Sequence, residues 1–454
     1  MAVTKVKTVF ACQTCGYQSP KWLGRCPECE AWNTLVEEVL EQASASPRPV
    51  VKSALPQRLD EIVSFEQPRL ATGIGELDRV LGGGLVPGSV ILLGGEPGIG
   101  KSTLLLWALS RLTTRGVPVL YVTGEESLQQ VKLRAERLGV AAAQCYVVSE
   151  TNVEAIQQLC EELRPRVAVV DSIQALSWAA LTSSPGSVTQ VRECAAQLIR
   201  VAKARELALL LVGHITKDGT LAGPKVVEHL VDAVLTFEGE PHAGFRLLRA
   251  SKNRFGSTAE IGVFQMGSTG LEEVANPSAY FLAERAPQHP GAIVTATLEG
   301  SRPLLVEIQA LVTPTSFGIP RRRTSGVDPQ RVDLILAVLE QRTGLTGLGS
   351  HDIFVSASGG LRVFEPAADL AIALAIASSL KGRPLSARDV ALGEVGLTGE
   401  IRSILGVERR LQEAQRLGFQ RCVLGRQSAR AVRPNGLELL AVETIREALQ
   451  HVGG

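Results

Sequence analysis

Short apolar runs rich in β-branched residues alternate with longer amphipathic runs between about residues 58 and 270. Unbroken apolar runs are typical of strands buried on both faces, whereas the longer runs have helical spacing. The alternation predicts a mostly parallel α/β sheet covered by helices on both sides. The last two runs, "AVLTFEG" and "FRLLRAS", are separated by "GEPHAG" and predict an antiparallel hairpin at the edge of that sheet.

Composition divides the chain around this core. Residues 1–38 contain two cysteine pairs, and residues 39–57 are rich in Ala, Ser and Pro, which is typical of a linker. The predicted α/β core occupies 58–275, a second linker 276–290, and a further mixed α/β unit 291–454. The predicted fold class is therefore α/β with a small cysteine-containing unit at the amino terminus.

Overall charge and hydropathy restrict the function only weakly. The 454 residues have a net charge of +1, which requires neither nucleic acid nor a membrane as a partner. The amino terminus lacks the apolar region of a signal peptide, and the apolar run 367–380 is shorter than the ~20 residues of a membrane span. We expect a cytoplasmic protein with no membrane partner. Four cysteines stand singly in apolar contexts, where we expect small buried hydrophobes; they are Cys145, Cys160, Cys194 and Cys422.

Two C-x2-C pairs near the amino terminus are separated by ten residues. This spacing predicts that Cys12, Cys15, Cys26 and Cys29 bind one tetrahedral Zn²⁺. Two disulfides or idle thiols are the alternative, which a reducing compartment and the specific spacing disfavour. Four thiolates leave no open coordination position, so the metal would be structural and would supply folding free energy to a short ribbon.

The run "GGEPGIGKST" matches the P-loop pattern G-x4-G-K-S between the apolar run "SVILL" and the amphipathic run "TLLLWALSRL". In this context we expect loop N–H groups to bind the phosphates of ATP, Lys101 to reach the β- and γ-phosphates, and Ser102 to coordinate Mg²⁺. A glycine turn without a ligand is the alternative. The predicted nucleotide-binding residues are Gly95, Glu96, Pro97, Gly98, Ile99, Gly100, Lys101, Ser102 and Thr103.

Acidic residues follow two of the predicted strands. Asp171 ends "RVAVVDS" and is the expected second Mg²⁺ acid, with a helix cap as the alternative. Glu125 and Glu126 follow the strand after the P-loop helix, at the end where open α/β sheets build their sites. One of them is expected to orient the attacking water, and Glu125 is preferred. The other would be a solvated acid in the first turn of the next helix.

The order of motifs resembles that of the RadA (Sms) family of bacterial DNA-repair proteins. The similarity covers essentially the whole chain, from the cysteine pairs through "LATGIGELDRVLGGGLVPGSV", the P-loop, "YVTGEES", "VVDSIQ" and "GHITK" to "KNRFG". It implies a RecA-like central domain in which Glu125 is the catalytic glutamate. It also implies a hexameric ATP-driven motor that binds single-stranded DNA and extends branched recombination intermediates made by the RecA recombinase.

Two segments lie where RecA-like proteins keep their DNA-binding loops, at 176–190 and 216–229. The second contains Lys217 and Lys225 among glycines, which favours contact with a phosphate backbone. Trp178 is the single aromatic residue of the two segments, so little base recognition is expected. An ordinary solvated loop is the alternative.

His214 ends the strand that precedes the second segment. It is a candidate to hydrogen-bond the γ-phosphate and to relay the nucleotide state to Lys217. A packed polar side chain is the alternative.

Lys252 and Arg254 in "KNRFG" are the candidate cations that stabilise the transferred phosphoryl group. On alternate positions of an edge strand they would project to the same face and reach the ATP of a neighbouring subunit. Contact with DNA by the same cations, or a charge pair that protects an edge strand, are the alternatives.

The carboxyl-terminal unit resembles the proteolytic domain of Lon. The motif positions of the Lon serine and lysine are occupied by Ala367 and Glu408, so we expect a catalytically inactive Lon-like domain that contributes subunit contacts. The run "GIPRRRTSG" adds a predicted basic loop, which would contact DNA, remain solvated or pair across an interface. Its cations are Arg321, Arg322 and Arg323.

Three functions remain possible at this point. The first is a DNA-dependent ATPase that acts as a branch-migration helicase and uses ATP, Mg²⁺ and Zn²⁺. The second is a nucleotide-gated DNA-binding scaffold that loads or remodels RecA without translocating. A RecA-like switch in signalling is the third, and the cysteine pairs and "KNRFG" disfavour it.

Overall fold

The computed structural model divides into two compact units, Met1–Glu273 and Val274–Gly454. The residues that it describes are 6–12, 17–28, 30–41, 68–139, 145–214, 225–239, 244–267, 270–283, 285, 289–315, 318–433 and 436–451.

An antiparallel ribbon begins the described chain. Its strands are β1 (Val6–Cys12), β2 (Gln18–Ser19) and β3 (Leu35–Glu41). They are ordered β2-β1-β3. The apolar interior is small, with Cys12, Cys26 and Leu35 buried at its centre. A core of this size agrees with the expectation that the ribbon needs a further source of folding free energy.

A mixed sheet forms the core of the remainder of the first unit. Its nine strands within the described residues are β4 (Val90–Gly95), β5 (Val119–Thr123), β6 (Cys145–Ser149), β7 (Val167–Asp171), β8 (Ala208–His214), β9 (Ala233–Glu238), β10 (Phe245–Asn253), β11 (Ile261–Met266) and β12 (Leu271–Glu273). Their order is β12-β11-β10-β9-β4-β8-β7-β5-β6. The strands from β9 to β6 in this order are parallel, which confirms the predicted α/β core.

Helices cover both faces of this sheet. They are α1 (Gly75–Leu81), α2 (Lys101–Thr113), α3 (Leu128–Arg137), α4 (Val153–Leu163), α5 (Val188–Arg205) and α6 (Lys225–Leu230). Buried residues of α1, α2 and α3 share one apolar cluster with the sheet, and those of α4, α5 and α6 share another. Side-chain caps fix several helix starts: Ser127 forms a capping box with Gln130, and Asn152 accepts from two N–H groups of α4.

The predicted hairpin is formed by β9 and β10, but it does not lie at the edge of the sheet. Strands β11 and β12 extend the sheet beyond β10, so the prediction that Lys252 lies on an edge strand is wrong. The two additional strands were not recognised because β12 is only three residues long and β11 follows a run of small and polar residues.

The second unit is also mixed α/β. Its strands are β13 (Ala292–Glu299), β14 (Arg302–Pro314), β15 (Arg322–Ser325), β16 (His351–Ala357), β17 (Asp389–Leu392), β18 (Glu394–Val395), β19 (Ile401–Arg402), β20 (Arg421–Gly425) and β21 (Glu438–Val442). Its helices are α7 (Pro277–Leu282), α8 (Pro329–Thr343), α9 (Asp369–Lys381), α10 (Val407–Arg416), α11 (Arg426–Arg430) and α12 (Ile445–Ala448). One sheet has the order β15-β16-β14-β13-β17-β20-β21, and β18 pairs with β19.

The predicted linker 276–290 contains helix α7, which belongs to the second unit. Ser278 is fully buried, and its hydroxyl bonds to Glu413 of α10 at 2.6 Å. Phe281 is buried as well. A linker interpretation based on Pro and Ala content therefore misses a short helix whose partners lie far along the chain.

The apolar run 367–380 forms most of α9, and residues 369–378 of this helix are all buried. Burial on every side explains why the run lacks an amphipathic pattern. Among the described helices, none is long and apolar enough to cross a membrane.

Candidate nucleotide-binding site and basic motif

The predicted P-loop connects β4 to α2. Gly98 and Gly100 have φ angles of 78° and 113°, values that residues with a side chain rarely adopt. A Cβ on Gly95 would lie 2.7 Å from the carbonyl oxygen of Phe237. The loop ends at the amino terminus of α2, where Ser102 and Thr103 occupy the first turn. Helix N–H groups and the helix dipole favour a phosphate at this position.

Lys101 is buried at the start of α2. Its Nζ donates to the carbonyl oxygens of Gly95 at 2.8 Å and Glu96 at 2.9 Å. Burial lowers the pKa of Lys101, while the negative charges of Asp171 and Glu125 act in the opposite direction. The structure therefore brings the predicted phosphate-binding lysine and the two preferred acids into one electrostatic cluster.

Asp171 lies at the carboxyl end of β7, next to β5. Its Oδ2 accepts a hydrogen bond of 2.7 Å from the hydroxyl of Tyr121, which is fully buried. Tyr121 was not identified from the sequence, because a tyrosine inside an apolar strand has the pattern of a core residue.

The two glutamates that follow β5 have different partners. The hydroxyl of Ser172 donates to Oε1 of Glu125, whereas Glu126 pairs with Arg134 of α3. Ser172 is adjacent to Asp171, so Glu125 is oriented toward the cluster that contains Lys101. Its position supports the preference for Glu125, and Glu126 has a local partner on the following helix.

The predicted γ-phosphate sensor and DNA-contacting lysines are only partly described. His214 ends β8 and lies in register with Gly95, so its backbone is adjacent to the P-loop. The side chains of His214 and Lys225 lie outside the described residues, although Lys225 begins α6. Lys217 lies entirely outside the described residues.

Lys252 and Arg254 lie at the end of the strands opposite to the P-loop. Asn253 pairs with Ala233, and Ala233 pairs with Ile91 near the start of β4. Gly95 is at the other end of β4, roughly 13 Å away at about 3.3 Å per residue. The P-loop and the cations of "KNRFG" therefore lie at opposite ends of one strand.

Both cations contact groups of their own chain. Lys252 Nζ donates to the carbonyl oxygens of Glu228 at 2.8 Å and His229 at 3.2 Å, near the end of α6. Arg254 Nη1 lies 3.3 Å from Oδ1 of Asp232. Burial, followed by the nearby charge of Arg254, lowers the pKa of Lys252, while Asp232 and Glu228 oppose the shift.

Other residues of "KNRFG" shape the turn that carries the two cations. The side chain of Asn253 donates to the carbonyl oxygen of Val80 in α1 at 3.1 Å and accepts from the N–H of Phe255 at 2.9 Å. A Cβ on Gly256 would lie 3.1 Å from Cα of Gly82. The sequence analysis assigned roles only to the two cations. It did not identify the contacts of Asn253 and Gly256 that position them.

The first predicted DNA loop, 176–190, is held by one side chain. Gln190 is 2 % exposed, and its amide Nε2 donates to the carbonyl oxygen of Ser183 at 2.8 Å. Its Oε1 accepts from the N–H of Trp178 at 2.9 Å, and the Trp178 ring nitrogen donates to Glu154 at 3.0 Å. Trp178 is half-buried and also packs against the core of this face.

The described cysteines of the ribbon have matching environments. Cys12 and Cys26 are both fully buried, and their N–H groups donate to the carbonyl oxygens of Tyr17 and Ala31, in each case five residues later. Two equivalent turns of this kind fit a pair of zinc knuckles. Cys15 and Cys29 lie outside the described residues.

The cysteines that stand singly in the sequence pack as apolar side chains. Cys160, Cys194 and Cys422 are buried, and Cys145 is half-buried against the core of the first unit. Burial raises the pKa of Cys160 to about 11 and that of Cys194 to about 12, so both thiols stay protonated near neutral pH.

Arg410, which is buried, and Glu365, which is half-buried, form an ion pair in the carboxyl-terminal unit. Ala367 is buried beside Glu365, and Glu408 is exposed on α10. Arg410 is 1 % exposed and binds both carboxylate oxygens of Glu365, at 2.6 and 2.7 Å. This pair lies within two residues of each position where Lon would have a catalytic group.

The predicted basic loop is partly an edge strand. Arg322 and Arg323 belong to β15, which pairs with β16. Arg322 Nη1 lies 2.9 Å from Asp333 of α8, whereas Arg323 lines a cavity of about 460 Å³ with Phe354. Arg321 precedes the strand, and its N–H donates to Asp352. The loop prediction is wrong for two of the three arginines, which point to opposite faces of the sheet.

Three family models match parts of the chain. An AAA domain matches residues 56–220, a rubredoxin metal-binding domain matches 10–37, and the ChlI subunit of Mg-chelatase matches 350–428. Among solved structures, one ATPase domain covers 45 % of this chain and 90 % of its own, at 12 % identity and a TM-score of 0.40. That structural likeness is too weak to carry an argument.

The parallel sheet, its two helical layers and the P-loop at the end of a central strand define a RecA-like P-loop ATPase. The chain is 49 % identical to the DNA repair protein RadA of Bacillus subtilis over 454 residues, with 99 % of both chains covered. RadA of Listeria monocytogenes is also 49 % identical over 454 residues, and RadA of Streptococcus pyogenes is 50 % identical over 453, each with at least 99 % of both chains covered. The chain belongs to the RadA family of DNA-repair ATPases.

Proposed function

We propose that the chain is an ATP-driven motor on single-stranded DNA that acts as a hexameric ring and extends branched intermediates made by RecA. The observation that carries this proposal is the position of Lys252 and Arg254 at the far end of β4 from the P-loop of the same chain. Phosphoryl transfer benefits from cations supplied by a neighbouring subunit. Cations that are remote from their own nucleotide site suit that role, and hydrolysis would then require assembly.

Each residue of the site has a role in this proposal. Bound ATP with Mg²⁺ supplies the phosphoryl group. Lys101 exchanges its contacts with the carbonyl oxygens of Gly95 and Glu96 for the β- and γ-phosphates. Ser102 and Asp171 hold the metal ion, and Glu125 accepts a proton from the attacking water while Ser172 orients its carboxylate.

DNA contact is assigned to the segments between strands and helices. The loop 176–190 is fixed by Gln190, and the segment that contains Lys217 and Lys225 begins directly after His214 at the P-loop. The loop 176–190 contains no Lys or Arg, so Lys217 and Lys225 of the second segment would track the phosphate backbone, with little sequence preference. His214 would link nucleotide state to that segment. Arg321, Arg322 and Arg323 are further candidate DNA contacts on the second unit, with Arg322 and Arg323 on opposite faces of its sheet.

The terminal domains have structural roles in the proposal. Cys12, Cys15, Cys26 and Cys29 would hold one Zn²⁺ that stabilises the ribbon, whose described interior is small. The carboxyl-terminal unit would act as an assembly scaffold without peptidase activity, because Ala367 offers no nucleophile and Glu408 cannot replace a lysine base. The proposed domain limits are those predicted from the sequence, except that the second unit begins at Val274.

The test is DNA-stimulated ATP hydrolysis by Lys101→Ala, by Lys252→Ala, and by the two mixed. Each variant alone is expected to be nearly inactive. In a mixed ring some intact Lys101 sites face an intact Lys252, so activity should return. Arg249→Ala is the matched control, because Arg249 is a cation of the same strand that pairs with Glu238 at 3.1 Å.

Recovery on mixing would support action on a neighbour's nucleotide. Absence of recovery, with mixed rings demonstrated by cross-linking of differently tagged subunits, would contradict it. Unwinding of a forked duplex then separates a motor from the scaffold alternative. A scaffold that loads or remodels RecA would hydrolyse ATP on DNA and leave the fork intact.

A further inference from the structure

Asp232 is a buried carboxylate between α6 and β9, at the same end of the strands as "KNRFG". The residue is 3 % exposed. Its Oδ2 accepts hydrogen bonds from the N–H of Val90 at 3.0 Å and from Lys203 Nζ at 2.5 Å. Its Oδ1 faces Arg254 Nη1 at 3.3 Å. One carboxylate therefore joins the start of the P-loop strand, the last turn of α5 and the basic motif.

The backbone reinforces these contacts. The N–H of Asp232 donates to the carbonyl oxygen of Val90 at 2.9 Å, and the N–H of Arg254 donates to the carbonyl oxygen of Asp232 at 3.0 Å. These bonds do not depend on the carboxylate. They fix where the Arg254 backbone lies, while the carboxylate controls where its guanidinium points. Arg254 is largely exposed beyond that contact, with 58 % of its side chain accessible.

Three cations surround this acid. Lys203 and Arg254 contact it directly, and the charge of Asp232 partly opposes the lowering of the Lys252 pKa by burial and by Arg254. Without the negative charge the cations would repel one another at short range. Lys252 is held separately by carbonyl oxygens of α6, the helix that leads directly into Asp232.

We propose that Asp232 is a positioning residue for ATP hydrolysis, which holds Arg254 and keeps the Lys252–Arg254 pair in the orientation that a neighbour's nucleotide requires. The inference rests on the proposed function, which assigns these two cations to an adjacent subunit. Asp232 does not touch the nucleotide. It acts through Arg254, as a carboxylate that fixes the direction of an otherwise exposed guanidinium.

Asp232→Asn tests the inference, because the amide keeps the shape and can still accept from the N–H of Val90 while the charge is lost. We expect kcat for DNA-stimulated hydrolysis to fall by about 10²-fold, as for a misplaced catalytic group. The affinity of the chain for a fluorescent ATP analogue should stay unchanged, since its own P-loop lies at the far end of β4. Equal losses of nucleotide affinity and kcat would indicate a merely structural role and would overturn the inference.

Lys203→Gln is the matched control, because it removes the other cation from the same carboxylate. It should leave kcat unchanged if the acid acts through Arg254, and a loss equal to that of Asp232→Asn would overturn the inference. The combined Asp232→Asn/Lys203→Gln variant removes the unpaired Lys203 charge. It should show the same loss of kcat, and it carries the test if Asp232→Asn alone does not fold.

A double-mutant cycle with Arg254→Ala completes the test. If Asp232 acts through Arg254, the double variant should be no slower than Arg254→Ala alone. If the fold losses of kcat of the two single variants instead multiply in the double variant, the inference is overturned. If Arg254→Ala is as active as the unmodified chain, the role that the proposed function assigns to Arg254 is contradicted. The inference about Asp232 is then contradicted as well. If Arg254→Ala is inactive and Asp232→Asn is active, the inference alone fails.

Discussion

The hydroxyl of Tyr121 donates a 2.7 Å hydrogen bond to Oδ2 of Asp171, across two neighbouring parallel strands. Burial and the adjacent negative charge of Asp171 raise the pKa of Tyr121 well above its ordinary value. The phenol therefore remains a donor near neutral pH. Tyr121 fixes one oxygen of Asp171, the candidate Mg²⁺ acid, and so restricts its orientation.

Tyr121→Phe should weaken Mg²⁺ binding at the site rather than ATP binding. Loss of a group that orients a metal-binding carboxylate typically costs about 10- to 100-fold in metal affinity. We expect the Mg²⁺ concentration that gives half-maximal ATPase activity to rise by at least about 10-fold. Tyr146→Phe is the control, because Tyr146 is exposed on the edge strand β6. An unchanged Mg²⁺ titration would show that the hydrogen bond from Tyr121 does not contribute to metal binding by Asp171.

Glu125→Gln and Glu126→Gln should separate the two candidate bases. Glu125 receives a hydrogen bond from Ser172 in the Lys101 cluster, whereas Glu126 pairs with Arg134. Removal of a general base is expected to lower kcat by about 10²- to 10⁴-fold, so Glu125→Gln should bind ATP but hydrolyse it very slowly. Glu126→Gln should retain activity within a few-fold. Single-turnover hydrolysis measures both, and the reverse order of the two effects would refute the assignment to Glu125.

Local sequence pattern was sufficient to predict the features that depend on neighbouring residues. The P-loop, the alternation of strands and helices and the cysteine spacing all depend on residues that are close in sequence. The orientation of β10 was predicted correctly, but its position in the sheet depends on β11 and β12, which pair through short runs with weak periodicity. The order of strands in a sheet depends on tertiary contacts, so the sequence pattern of β10 alone does not predict which strands lie beside it.

The residues that were not identified from the sequence were missed for one physical reason. Tyr121 resembles a core residue, Asp232 resembles a polar residue in a turn, and Arg410 resembles the polar face of an amphipathic helix. Each acquires its role from a partner far along the chain: Asp171, Arg254 and Glu365. Such pairings leave no periodic signal, and burial of a charged group becomes visible only once its partner is in place.

Arg410→Met should destabilise the carboxyl-terminal unit. Arg410 is buried and binds both oxygens of Glu365, whose side chain is 26 % exposed, so removal of Arg410 leaves a half-buried carboxylate without its cation. Breaking a fully buried pair from one side typically costs about 3–5 kcal/mol of unfolding free energy, and for this partly exposed pair we expect a loss near the lower end of that range. The double variant Arg410→Met/Glu365→Gln should recover most of that loss, because neither charge then remains.

Chemical denaturation of the full chain measures these changes. Arg409→Met is the matched control, since Arg409 is a neighbouring exposed arginine and its loss should cost less than about 0.5 kcal/mol. A double variant that is less stable than Arg410→Met would show that the two side chains do not act as a pair.

Asp369 should make the stability of the same unit depend on pH in an unusual direction. Burial raises the pKa of Asp369 from 3.8 to about 6, and the hydrogen bonds from Arg331 and from the N–H of Val395 only partly oppose the shift. Between these two values the folded chain holds a proton that the unfolded chain has lost. The contribution of Asp369 therefore decreases as pH rises through that range, by up to roughly 3 kcal/mol.

Asp369→Asn removes this titration, so the unfolding free energy of the variant relative to the unmodified chain should increase between pH 4 and pH 7. Denaturation curves at several pH values across that interval measure the trend. Asp333→Asn is the control, because Asp333 is exposed and pairs with Arg322 at the surface, where an ion pair contributes little. If the unfolding free energy of Asp369→Asn relative to the unmodified chain instead decreases as the pH rises, the ion pair with Arg331 outweighs the cost of burial. Asp369 would then be an acid with a lowered pKa.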